Sequence, residues 1–317
     1  MRLIRRIWPL VAGLLVAAGV GSAVQAQDQV PQQQASFGRV TLGWGRFFYN
    51  DLLGDGHDRW QTGGYTVSIL RGDRFDGHLP DRPGRILEYR LAASIIAPAS
   101  LTSPEPDDRR YAGTLNLGVH TPWEWRGTEL SLGADMVVTG PQTGVGRFQR
   151  WAHERLGLEE PEVLGNQIED GFYPTLVAEA GHTLTLAGGR LRPFAELRAG
   201  DESLIRLGAD LSFGQIGSDD LMVRDKTTGQ RYRGAPGTYR QGVTLTLGGD
   251  VAHVFSSVYL PEGEAAQLRS DRYRLRAGLA WQGKKSSLFY GLTYLSPQFE
   301  QQAEGQVVGG LSLHVKF

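Results

Sequence analysis

Strict two-residue alternation of apolar and polar side chains recurs along most of this chain, and it limits the fold more than any other feature. "TELSLGADMVV" sets Leu130, Leu132, Ala134, Met136 and Val138 on one face, with Glu129, Ser131, Gly133 and Asp135 on the other. "SLIRLGADLSF" sets Ile205, Leu207, Ala209, Leu211 and Phe213 against Arg206, Gly208, Asp210 and Ser212. "RYRLRAGLAW" sets Tyr273, Leu275, Ala277, Leu279 and Trp281 against Arg272, Arg274 and Arg276. Side chains of a strand point alternately to its two faces, so these segments are strands with one apolar and one polar side. A soluble sandwich would also alternate. Here the polar faces carry full charges flanked by glycine, and the apolar faces end in aromatics such as Phe213 and Trp281. A transmembrane barrel requires both features: a charged interior, and a lipid-facing band closed by aromatic girdles.

About twelve such strands are expected, near 38–49, 62–71, 86–97, 109–120, 128–139, 172–186, 190–199, 203–213, 240–253, 271–283, 286–296 and 306–317. The fold class is therefore all-β, a transmembrane antiparallel β-barrel with a short helix in an outer loop. The even count suits a single-chain bacterial barrel. The last segment, "GQVVGGLSLHVKF", alternates Leu311, Leu313, Val315 and Phe317 against Ser312, His314 and Lys316. Its aromatic end resembles the terminal strand by which the outer-membrane assembly machinery recognises its barrels. No 20–50-residue repeat is visible.

The amino terminus fits export. Arg2, Arg5 and Arg6 precede an apolar run from Leu10 to Val20, and "GSAVQAQ" follows. Basic, apolar and small-residue regions in that order are expected to form a signal peptide over 1–26, leaving the barrel domain as 27–317. The apolar run is too short to cross a bilayer, which takes about 20 residues. Lys and Arg number 33 against 34 Asp and Glu, so nothing draws the chain toward nucleic acid. There is no cysteine, which excludes disulfides and thiolate metal sites.

With both termini on the periplasmic side, the first strand runs outward. The connections near 50–61, 98–108 and 140–171 then share the outer rim. The first reads "YNDLLGDGHDRWQTGG", crowding Asn50, Asp51, Asp55, His57, Asp58, Arg59 and Thr62 among turn glycines. The third is the longest, and "RFQRWAHERLG" within it has helical character ending at Gly157, with Gln149 and His153 four apart on one face. His57 and His153 lie clearly in rim loops, His253 close by, His78 in a periplasmic connection, and His182 and His314 in strands. Taken singly, Asn50 caps a turn, Asp51 is solvated, Thr62 starts a strand, and Asp58 pairs with Arg59 or ligates calcium.

Three blocks together carry a resemblance. "YNDLLGDGHDRWQTGG", "DDRRYAGTL" and "GPQTGVGRFQRWAHERLG" followed by "GNQIED" resemble, in order, motifs of the outer-membrane lipid A 3′-O-deacylases (LpxR type). They cover much of residues 40–180. The resemblance implies a twelve-stranded barrel and a calcium-dependent esterase that removes the 3′-linked acyloxyacyl group of lipid A. It implies His153 as general base toward water, Asn50 and Asp51 as the Ca2+ ligands, and Thr62 as a hydrogen-bonding residue of the site. Gln149 and Glu169 are expected to support the helix that carries His153. Implied partners are lipid A or lipopolysaccharide as substrate, the outer-membrane lipids and the assembly machinery, with a monomer expected. The chemistry is coherent: an imidazole titrates near neutrality, and calcium takes hard oxygen ligands. No G-x-S-x-G elbow is present. The chain departs from the family in two places. The loop "APASLTSPEPDDRR" lacks a lysine found in some members, with Ser103 near that position, and Gln61 stands where an aromatic is common. Rival readings are a phospholipase-like hydrolase with a serine–histidine site, and a non-enzymatic pore or structural barrel.

Overall fold

A computed structural model describes residues 38–315. The expected signal peptide, and Lys316 and Phe317 of the last strand, lie outside the described residues. In chain order the strands are β1 (Val40–Asn50), β2 (Trp60–Gly72), β3 (Ile86–Ala97), β4 (Ala112–Trp125), β5 (Thr128–Thr139), β6 (Gly171–Gly181), β7 (Leu184–Leu186), β8 (Gly189–Ala199), β9 (Glu202–Phe213), β10 (Leu221–Arg224), β11 (Arg231–Ala235), β12 (Gly242–Ser257), β13 (Asp271–Gln282), β14 (Ser286–Leu295) and β15 (Gln306–Val315). One α-helix, α1 (Val145–Leu156), stands in the β5–β6 connection.

Twelve of these strands form the wall, each antiparallel to its neighbours, and two pairings complete the ring. β1 meets β15, with Phe48 opposite Leu311 and Asn50 opposite Gly309. β6 meets β8, with Leu176 opposite Ala199. A closed ring leaves no strand edge facing hydrocarbon, where an unmade backbone hydrogen bond costs several kcal/mol. The expected strand over 172–186 is two pieces, β6 and β7. The break falls at His182, which is therefore not in a strand; its N–H donates to the Pro193 carbonyl at 3.1 Å.

The alternation sorts side chains as a two-solvent wall requires. Leu132, Met136, Leu207, Leu275 and Leu279 face outward and are exposed, while Asp135, Arg274 and Arg276 are buried in the lumen. Exposed aromatics close the band at both ends. Trp44, Trp125, Phe213 and Trp281 sit at the end where β1 starts, and Phe172, Phe255 and Tyr273 at the opposite, outer rim. No helix among the described residues is long and apolar enough to cross a membrane.

The inward charges pair. Asp250 on β12 accepts from Arg206 Nη1 at 2.6 Å, from Arg274 Nε at 2.9 Å, and from Arg276. Removing one member of a buried ion network leaves the others desolvated and uncompensated. Asp250→Ala is expected to cost about 3–5 kcal/mol, read as the shift in urea unfolding of the vesicle-reconstituted barrel. A change below about 1 kcal/mol would mean that lumen water, rather than the network, satisfies the arginines.

The alternation predicts only a plain connection over residues 214–239. They instead fold back into the lumen as a hairpin, β10 against β11. Asp225 Oδ1 fixes its turn by accepting from both the N–H and the hydroxyl of Thr228, each at 2.7 Å. Tyr232 stacks on Phe47 of β1, ring centroids 5.1 Å apart, in a cluster with Tyr49, Leu70, Leu221, Val223 and Phe289. Gly43 and Gly45 of β1 make room for it. A side chain at 43 would strike the Gly234 carbonyl, and one at 45 would lie 2.9 Å from that of Arg233. Near the hairpin tip, Thr227 accepts from the Tyr49 hydroxyl at 3.1 Å. The hairpin thus props the outer end of β1 from inside.

Candidate active site

The β1–β2 connection is built around one carboxylate. Asn50 Oδ1 accepts the Leu52 N–H at 2.9 Å and caps a 3-10 turn, Asp51–Leu53, which turns Asp51 inward until it is fully buried. The Asp51 carbonyl accepts from the N–H groups of Gly54 (2.8 Å) and Gly56 (3.0 Å), and its Oδ2 accepts from the Arg59 N–H at 2.7 Å. Asp51 therefore holds both ends of its loop. Its Oδ1 is buried without a partner. Burial first, and then the nearby negative charge of Asp58, push the Asp51 carboxyl up to about 9, against the pull of the Arg59 N–H.

β2 opens with an irregularity. Trp60 has φ +51° and pairs with Ala97, while Gly63 pairs with Ile95, so Gln61 and Thr62 form a bulge opposite Ile96. Thr62 is buried with its hydroxyl unpartnered. Gln61 turns toward β15 and the β14–β15 connection: its N–H donates to Gln306 Oε1 at 2.8 Å and its Nε2 to Gln298 Oε1 at 3.1 Å.

Helix α1 supplies the imidazole. Val145, Gln149 and His153 recur every fourth residue and are buried with Gly146. The helix packs close to the wall and to its own connection: a side chain at Gly113 of β4 would come within 2.9 Å of Val145, and one at Gly146 within 2.9 Å of Leu164 further along the β5–β6 connection. Gly157, at φ +63°, ends the helix as expected. It turns the chain so that Leu158 N–H donates to the His153 carbonyl at 2.9 Å. Two residues on, the Glu159 carbonyl oxygen lies 2.6 Å from His153 Nδ1. The other ring nitrogen, Nε2, lies 3.2 Å from Asp58 Oδ2. That hydrogen bond is the main reason the imidazole sits above its ordinary value, against partial burial.

His153 and Asp51 thus meet at one rim through Asp58, which touches the first and repels the second. Asn50 and Thr62 flank Asp51 and Asp58 along the chain. The other expected residues divide. Gln149 is buried one turn from His153, and neither amide atom has a partner. Glu169 is exposed before β6, and its carbonyl, accepting from Thr139 at 2.8 Å, is what the fold uses. The rival base His57 is 55 % exposed and pairs with Asp55. Arg59 pairs with Glu304 and Asp55 rather than with Asp58. Sequence reasoning missed the contact of Asp58 with His153, because nothing in the spacing links positions 95 apart. It also missed Glu159, which acts through its main chain and leaves no trace in residue type.

The polar atoms of the site suit a hard cation. Asp51 Oδ1, Asp58 Oδ1, Thr62 Oγ1 and Gln149 Oε1 are all buried oxygens without a partner. Among the described residues no three His, Cys, Asp or Glu side chains cluster as metal ligands. Two carboxylates completed by hydroxyl, amide and main-chain oxygens is a calcium-type donor set. Asn50 fits less freely, since its Oδ1 already caps the turn.

A model of the family described as outer membrane protein LpxR matches residues 10–317. No curated protein matches. Among solved structures, LpxR from Salmonella typhimurium is 18 % identical over 87 % of this chain and 100 % of its own, with a TM-score of 0.70, which establishes the fold. The β-domain of the Bordetella autotransporter BrkA (16 % identity, 87 % and 99 % coverage, TM-score 0.39) is a more distant likeness. So is the KdgM porin (7 %, 86 % and 99 %, 0.38). A twelve-stranded wall with outward apolar bands, matched along nearly its whole sequence by one family, is an outer-membrane protein, and the chain belongs to the LpxR family.

Proposed function

We propose that the protein is an esterase of the outer leaflet that removes the 3′-linked acyloxyacyl group of lipid A, working as a monomer after insertion by the assembly machinery. The observation that carries this reading is the imidazole of His153, gripped at both nitrogens in a buried pocket of the outer rim. Nδ1–H donates to the Glu159 carbonyl, which fixes the tautomer and leaves Nε2 to take a proton. Water at Nε2 gives up that proton as its oxygen attacks the ester carbonyl carbon, and the Asp58 carboxylate stabilises the imidazolium that forms. The protonated Nε2 then returns the proton to the departing sugar oxygen.

The Thr62 hydroxyl and the Gln149 amide, buried and unpartnered, are free to hold the attacking water or the ester. Asp51 and Asp58, with Asn50 beside them, would hold Ca2+. When bound, the ion supplies a Lewis acid for the ester carbonyl and a counter-charge for two crowded carboxylates. Ser287 lies opposite His314 across β14 and β15, but that imidazole bonds to the Trp44 carbonyl and not to a serine hydroxyl, and the hairpin in the lumen speaks against a pore.

Mass spectra of lipid A from cells with and without the protein test this directly. Expression should lower the mass by one acyloxyacyl unit, and stripping calcium from isolated outer membranes should halt the conversion. An unchanged acyl pattern in calcium-replete membranes holding the folded barrel would refute the proposal.

A further inference from the structure

Helix α1 hides its polar catalytic face and displays its aromatic one. Phe148 is 56 % exposed and Trp151 52 %, on the side of the helix away from Gln149 and His153. Their rings pair at 5.8 Å between centroids. Large exposed aromatics side by side on a helix mark a contact surface. On the helix itself Arg147, Arg150 and Arg155 stand against Glu154, an excess of cations, with Glu159 and Glu160 just beyond its end. Arg150 is shared with the exposed Glu160 at 3.0 Å.

The root of the helix segment is tied to the lipid-facing wall. Gln142 Nε2 donates to the Thr139 carbonyl at 3.0 Å and to that of Gly171 at 3.3 Å, and its N–H donates to Asp170 Oδ1 at 2.9 Å. The next residue, Phe172, is an exposed aromatic of the outer girdle, with Leu176 exposed below it on β6. The segment that carries the aromatic face of α1 is thus anchored beside an apolar band that meets lipid.

We propose that α1 lies in the outer leaflet as an interfacial helix. Phe148 and Trp151 are immersed among acyl chains, and the three arginines are level with lipid phosphates. An amphipathic helix with aromatics on one side and cations beside them binds a phosphate-bearing membrane surface in this way. Immersion clamps the helix against β3 and β4 and so holds His153 over Asp58. The catalytic consequence rests on the esterase reading above, but the immersion does not.

The cysteine-free chain allows a direct test. A nitroxide is attached at Trp151→Cys in the full-length barrel, reconstituted in phosphatidylcholine–phosphatidylglycerol vesicles, with Leu275→Cys as the lipid-facing reference and Glu154→Cys as the aqueous one. Collision with oxygen and with a water-soluble nickel chelate is read by electron paramagnetic resonance. The label at 151 is expected to favour oxygen, as the label at 275 does. Accessibility to the chelate equal to that at 154 would overturn the proposal.

In a second measurement, Phe148→Ser with Trp151→Ser should slow deacylation of vesicle-embedded lipid A about tenfold, with no more than a twofold change for detergent-dispersed substrate. Equal loss in both would overturn the clamp. Immersion at 151 in a protein without deacylase activity would overturn the esterase reading alone. Heat-modifiable mobility on gels confirms that each variant is folded.

Discussion

Replacing His153 with alanine is expected to lower deacylation by about 10²–10⁴-fold, the contribution of a general base placed against water. The substitution leaves the wall untouched, since α1 lies in a connection between β5 and β6 and the imidazole bonds only to Asp58 and the Glu159 carbonyl. The barrel should therefore insert normally, keep its heat-modifiable mobility and lose only chemistry. Lipid A spectra from intact cells give the measurement, and wild-type conversion by the folded variant would remove His153 as the base. Asp58→Asn should lower activity by at least about tenfold, because it weakens the support of the imidazolium and also removes one of the two carboxylates that would hold Ca2+. Full activity in Asp58→Asn would mean that the carboxylate serves neither purpose.

Asp51→Asn is expected to separate stability from activity. In wild type the buried carboxyl has an unpartnered oxygen and a like-charged neighbour in Asp58. An amide keeps the 2.7 Å bond from the Arg59 N–H and can never take on the charge that burial and Asp58 oppose. In chelator near neutral pH the variant should be more stable than wild type by about 1–3 kcal/mol, because the wild-type carboxyl, pushed up to about 9, must take up a proton on folding and the amide need not. Deacylation should drop more than about a hundredfold, since a lost Lewis acid is worth several kcal/mol of transition-state stabilisation. Calcium should raise the urea midpoint of wild type and leave that of the variant unchanged. An identical calcium shift in both proteins would place the ion elsewhere.

The wall was legible because each of its strands separates two solvents. Leu132 and Asp135 on β5, or Leu275 and Arg276 on β13, answer to lipid on one side and the charged lumen on the other, and the two-residue period records that directly. The lumen hairpin meets protein on both faces, so Leu221, Val223 and Tyr232 alternate with Arg224 and Arg233 too briefly to stand out. Its Asp225–Gln230 turn did carry a readable signal in Asp, Thr and Gly.

The end of α1 was legible because Gly157 is a stop signal with a physical cause. Asp51 and His153 are singled out by motif resemblance. Their link through Asp58 depends on how two distant loops lie across one rim, which no local period encodes. The partner of Nδ1 was out of reach for a different reason: any residue at 159 would present the same carbonyl.

The bore of this barrel is occupied by its own chain. Tyr232, Arg224 and Thr227 of the returning hairpin bind wall residues on β1, β6 and β9. An open cylinder of this kind would drain ions and admit toxic solutes in proportion to its abundance. A stoppered one can be produced in quantity without weakening the permeability barrier of the envelope. Its copy number can therefore vary without changing what the envelope lets through.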